Sequence, residues 1–140
     1  MILRSQGMIV SALLVAVALS GCTTTKSAAS RGIFSSKPSA SAAFITALQG
    51  GIVGRSSVSL TDSDKQRALE AEYRALEGAA VGQPMLWTGK DVTGKVVAAA
   101  PYQVGSQNCR QYTHTLTVDG KDTVVRGAAC RNDDGSWSPL

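Results

Sequence analysis

The sequence predicts an α+β fold: one amphipathic helix packed on a small antiparallel sheet of about four strands, stapled by one disulfide. Three observations predict it. Asp119-Gly120 lies between two runs rich in Thr, Val and Tyr, two cysteines stand symmetrically about that dipeptide, and residues 61–77 form a capped amphipathic run.

The hairpin comes first. Asp-Gly favours a type I′ turn because both central residues need positive φ. Val118 then faces Lys121, and nine residues outward along each arm stand Cys109 and Cys130. An odd step from the turn-flanking pair makes this a non-hydrogen-bonded pair, with Cα atoms about 4.5 Å apart and within reach of a disulfide. The bridge would close a loop of 22 residues, for which chain entropy gives ~3 kcal/mol. The rival readings are two free thiols or a metal pair, and two Cys with one distant His are too few ligands for structural zinc. Tyr112, Leu116, Val118, Val125 and Ala129 share one face, expected on the core. Gln111, Thr113, Thr115, Thr117, Asp122 and Arg126 share the other with the cysteines, expected in water. Tyr112 falls opposite Gly127, where its ring could cover the glycine backbone.

The helix spans 61–77. Thr61 and Asp64 fit a capping box, and Asp62 and Asp64 suit the positive end of the helix dipole. Leu69, Tyr73, Leu76 and Ala80 make one apolar stripe, with Glu70, Glu72, Arg74 and Glu77 mostly on the wet side. Gly78, Gly82 and Pro84 end it. Met85–Thr88 and Lys95–Ala100 read as two further strands joined by Gly89–Gly94, and Trp87 reads as core. Asp133-Asp134-Gly135 turns the chain so that Trp137 returns to the sheet; the other positions of a calcium loop are absent.

The start of the chain predicts where the protein works. Arg4 precedes an apolar run, Met8 to Leu19, of signal-peptide length and short for a membrane span. Leu19-Ser20-Gly21-Cys22 resembles the lipobox of bacterial lipoproteins, which implies that Cys22 is acylated and becomes the mature N-terminus. Residues 1–21 are then a lipoprotein signal peptide. Residues 22–41 are an acylated N-terminus and flexible Ser/Thr/Ala-rich tether. Residues 42–60 hold a short apolar, Gly-containing segment, and 61–140 the helix and sheet. Thr23 follows the cysteine in place of the Asp that favours inner-membrane retention, which leans toward the outer membrane. Gly50 and Gly54 have the spacing that lets helices approach. The segment reads either as a helix that inserts superficially or self-associates, or as a short helix docked on the domain.

The 140 residues carry a net charge of +4, with Lys and Arg scattered and no aromatic interleaving. That argues against a nucleic-acid partner. No phosphate loop, dinucleotide fingerprint or metal cluster appears, so no cofactor or metal is expected. His114 stands alone in mid-strand beside Val125, with no acid or nucleophile placed near it by spacing, so catalysis is not expected.

The C-terminal half resembles the seventeen-kilodalton surface-antigen family of Gram-negative outer-membrane lipoproteins. The resemblance rests on Ala75-Leu76, Gly82, Trp87, Gly94, Tyr102, Cys109-Arg110, Tyr112, Gly127, Cys130-Arg131, Asp134-Gly135 and Trp137. It runs from about residue 45 to the end, and its specific part is the paired Cys-Arg steps followed by Asp-Gly and Trp. It implies a palmitate-bearing lipoprotein anchored in the outer membrane through Cys22, often antigenic, with a structural or interaction role in the cell envelope. Many members carry a longer glycine zipper before the helix; here only the Gly50–Gly54 remnant stands. A second reading is an envelope binding module, an inhibitor of a lytic enzyme or a peptidoglycan binder, using Arg110 and Arg131. These share a face in the uninterrupted hairpin, and guanidinium groups recognise carboxylates. The plainer expectation pairs them with Asp133 or Asp134 to hold the last turn.

Overall fold

The computed structural model describes residues 40–140. The signal peptide, Cys22 and nearly all of the tether lie outside the described residues. Two helices and five strands follow in order: α1 (Ala40–Ala47), α2 (Asp62–Glu77), β1 (Pro84–Thr88), β2 (Thr93–Val104), β3 (Gln107–Val118), β4 (Lys121–Arg131) and β5 (Trp137–Pro139). The strands form one antiparallel meander in the order β1-β2-β3-β4-β5.

The sheet has five strands rather than about four. The returning Trp137 pairs with Arg131, and Ser138 and Pro139 continue the ladder as a short edge. The central hairpin keeps its register without a bulge from Val118↔Lys121 to Cys109↔Cys130. Asp119 and Gly120 take φ of 48° and 74°, the double positive φ of a type I′ turn. The disulfide is formed, with Cα atoms 3.9 Å apart.

Residues of even number on β3 face the core: Arg110, Tyr112, His114 and Leu116 are all buried. The cysteines lie on the opposite face, as parity requires, yet both are buried. The ring of Tyr112 does not cover Gly127. The atom over that glycine is Ile52 Cγ2, so the missing side chain makes room for the segment before α2.

Thr61 caps α2, its hydroxyl accepting from the Asp64 N–H at 3.2 Å. Asp64 is buried and accepts from the Thr61 hydroxyl, Arg67 and the Lys90 backbone. These donors, the Thr61 hydroxyl foremost, hold its carboxyl below the usual range. The helix ends at Glu77, so Ala80 leaves the expected stripe and is exposed. The stripe that meets the sheet is Ala68, Leu69, Ala71, Glu72, Ala75 and Leu76. Glu72 belongs to it rather than to the wet side.

Residues 45–53 dock on the domain: Ile45, Leu48, Ile52 and Val53 join the same core as Trp87, Val96, Tyr112 and Leu116. Phe44 stacks on Tyr73 with ring centroids 5.6 Å apart. Among the described residues no helix is long and apolar enough to cross a membrane.

Candidate functional site

The chemistry-bearing side chains gather under and around the C-terminal half of α2. Glu72 is at the centre. It points into the sheet between Leu69 and Leu76 and is fully buried. Four donors converge on its carboxylate. Oε1 accepts from the Val53 N–H at 2.8 Å and pairs with His114 Nδ1 at 2.8 Å. Oε2 accepts from the Ile52 N–H at 3.1 Å and the Tyr112 hydroxyl at 3.2 Å.

Trp87 fixes the histidine tautomer. Its indole Nε1–H can only donate, and it donates to His114 Nε2 at 2.8 Å. Nε2 is therefore the acceptor, and the ring proton sits on Nδ1, facing Glu72. The indole and imidazole meet edge to face. Gly94, opposite Trp87 in the ladder, leaves the space that the indole occupies; a Cβ there would run into Nε1. Gly51 plays the same part for Glu72. At φ +61°, it turns the chain so that the next two N–H groups aim at the carboxylate, and a Cβ would overlap Oε2. Burial, with the Glu72 charge behind it, pushes the Tyr112 phenol far above its ordinary range.

This arrangement is a closed hydrogen-bond node. Both nitrogens of His114 are engaged, each oxygen of Glu72 has two donors, and neither residue reaches solvent. Burying a charge is costly unless it is fully hydrogen-bonded, and here the bonds tie together α2, β1, β3 and the 51–53 turn. The node's chemistry is that of a fastener.

The two Cys-Arg steps take different places. Arg110 is 7% exposed, beneath the end of α2. Its Nη1 donates to the carbonyls of Ala75, Leu76 and Ala79 at 3.0, 3.0 and 3.1 Å. Its Nε donates to the Ala99 carbonyl at 2.9 Å, where the β2 register shifts between Ala98 and Pro101. A helix end leaves carbonyls unsatisfied and a negative dipole end, and a buried guanidinium answers both. Arg131 sits at the rim with its side chain 43% exposed, making a two-pronged contact with Glu77 at 3.0 Å for each bond. Trp137 Nε1 donates to the same carboxylate at 2.8 Å. Arg131, and then Trp137, hold the Glu77 carboxyl below the usual range against the opposing effect of burial.

Arg110 is therefore not on an outward-facing patch, and neither arginine forms an ion pair with Asp133 or Asp134. Asp134 instead accepts from the Ser136 N–H and hydroxyl, and the Asn132 N–H closes the same turn onto the Ser136 carbonyl. The node joins residues that spacing alone does not bring together. Three signals for it were present: Glu72 falls within the Leu69–Leu76 stripe, His114 shares parity with Tyr112 and Leu116, and Gly94 pairs with Trp87. Among the described residues, no group of three His, Cys, Asp or Glu side chains is placed to hold a metal.

Residues 74–138 match the family of the 17 kDa outer membrane surface antigen. Among similar curated proteins, the 17 kDa surface antigen of Rickettsia bellii strain RML369-C is 36% identical over 81 residues, which is 56% of this chain and 51% of that protein. The 17 kDa surface antigen of Rickettsia prowazekii strain Madrid E is 38% identical over 80 residues, 54% of this chain and 50% of its own. The chain thus spans about half the length of the curated relatives it matches. No solved structure matches. The landmarks of the resemblance have physical roles here: Gly94 admits Trp87, Gly127 admits Ile52, Arg110 caps α2, and Arg131 and Trp137 converge on Glu77. Over residues 74–138, the chain is thus similar to the 17 kDa outer membrane surface antigen family.

Proposed function

We propose that the protein is a lipid-anchored surface antigen of the outer membrane, with a structural or interaction role in the cell envelope and no catalysis of its own. The observation that carries this reading is the family match over residues 74–138, whose curated relatives are named surface antigens. Two features support it. The Cys109–Cys130 disulfide suits an oxidising compartment outside the cytoplasm. Leu19-Ser20-Gly21-Cys22 supplies the anchor, since each buried acyl CH₂ contributes ~0.8 kcal/mol.

The test is metabolic labelling with an alkynyl palmitate, followed by separation of inner and outer membranes. Label on the wild type in the outer-membrane fraction, and an unlabelled precursor from Cys22→Ala, is the expected result. A C22A protein that keeps the label refutes the anchor. In-cell cross-linking then separates the structural role from the alternative. A lytic enzyme or peptidoglycan fragment captured on the Arg131 side would make the protein an envelope binding module. Arg110 could join such a contact only by leaving the end of α2.

A further inference from the structure

The two edges of the sheet are unlike. β5 is three residues long, contains Pro139 and has α1 beside it. β1 is five residues, Pro-Met-Leu-Trp-Thr, with no charge and no bulge. Natural edge strands are usually blunted by charge, bulges or cover, because an unpaired ladder recruits another strand. Beyond Pro84 at its start, β1 carries neither charge nor bulge, and α2 packs beside it without covering Leu86. Leu86, at its centre, is 74% exposed.

The direction of the free ladder follows from the turn. The Gly89 N–H donates to the Val92 carbonyl at 2.8 Å, which fixes the alternation of β1 with β2. Trp87 and Met85 exchange their bonds with β2. Leu86 and Thr88 turn their N–H and C=O groups outward, and Pro84 turns out a carbonyl.

We propose that this edge is an interface between two copies of the chain, paired antiparallel about a two-fold axis at Leu86 into one continuous ten-stranded sheet. The register is self-complementary. Leu86 and its counterpart exchange two bonds, and the Thr88 N–H of each copy meets the Pro84 carbonyl of the other. Proline's missing N–H falls at the ends, where it costs least.

The charges beside the edge fit the same axis. A groove of about 210 Å³ runs between β1 and the flank of α2, lined by Arg67, Glu70, Ala71, Arg74 and the strand. Arg67 is already paired with Asp64 at 2.9 Å. Arg74 has no ion-pair partner among the described residues. Two such helices laid antiparallel across the axis bring Arg74 of one copy toward Glu70 of the other, twice.

The test is sedimentation equilibrium of the mature, full-length, lipid-bearing protein in detergent, with circular dichroism to check folding. The wild type is expected to show a concentration-dependent dimer. Leu86→Lys sets two like charges face to face at the axis and should weaken the dimer at least about tenfold with the fold intact. E70R and R74E should each weaken it, and the double swap E70R/R74E should restore it to within about twofold. Leu86→Cys should cross-link to itself in membranes with a short bifunctional maleimide. Three results would each overturn the proposal: a dimer indifferent to L86K, a double swap that restores nothing, or a wild type that stays monomeric while L86C fails to cross-link. Dimers lost instead on changing Gly50 and Gly54 would move self-association to that segment.

Discussion

Glu72 and Glu77 lie on one helix, and each accepts from an aromatic side chain and from a basic one. Glu72 takes the Tyr112 hydroxyl and His114; Glu77 takes the Trp137 indole and Arg131. Their surroundings differ. Glu72 has no exposure at all, whereas a third of the Glu77 side chain meets water. Hydrogen bonds to a buried group cannot be replaced by solvent, so the cost of losing one is set by desolvation rather than by its length. Similar contact geometry therefore gives a keystone at one position and a trim at the other.

The comparison breaks first at Glu72→Gln. The amide replaces an acceptor oxygen with an NH₂, which then faces donors in a site with four of them. Breaking a buried charged node costs about 3–5 kcal/mol, a large share of a small domain's stability. Urea unfolding should show the unfolding free energy fall by that amount, and limited proteolysis should cut residues 45–55 early, because one of the Ile52 and Val53 N–H groups is left facing the amide NH₂ in place of a carboxylate oxygen. An unfolding free energy lowered by less than about 1 kcal/mol would mean that apolar burial, rather than the carboxylate, holds this segment.

The two arginines sharpen the contrast. Arg110→Met should cost about 2–3 kcal/mol, since it strands helix-end carbonyls in the core. Arg131→Met should move the midpoint far less. Equal effects would mean that Arg131 is more than a rim contact. Next comes Gly51→Ala, at about 1–3 kcal/mol, because it combines a positive φ with a methyl driven into Glu72. The part that comes from the overlap should vanish in an E72A background, leaving only the cost of the positive φ and of the Leu69 contact.

The parts legible in the sequence were those set by local rules. The Asp119-Gly120 turn fixed a register that paired the cysteines, and Thr61 fixed the start of α2. The node was harder to read because its members come from four separated stretches, brought together only when α2 is laid on the sheet. Charge was a misleading guide to exposure: Glu72 looked like a wet-side residue and Arg110 like a recognition group. Parity was the better guide, since it put Arg110 on the same face as Tyr112 and Leu116. The fifth strand was missed because three residues, one a proline, carry almost no strand pattern of their own.

The smallest effect belongs to Glu77→Gln, and pH separates its charge from its packing. Arg131 foremost, then Trp137, lower the folded-state carboxyl below its ordinary 4.5. A depressed pKa contributes stability above the ordinary value, and that stability is lost as pH falls through the folded one. Because the carboxylate is partly solvated and screened, the contribution at neutral pH is under about 1 kcal/mol. E77Q should therefore be slightly less stable than wild type at neutral pH and converge with it as pH falls through the lowered folded-state pKa. Asp64 and Asp134, whose carboxyls are also held low, titrate alike in both proteins and cancel from the difference. Added salt should shrink the neutral-pH gap as well. A gap that survives both acid and salt would assign Glu77's value to its bond with the Trp137 indole instead of its charge, bringing the rim closer in kind to the buried node.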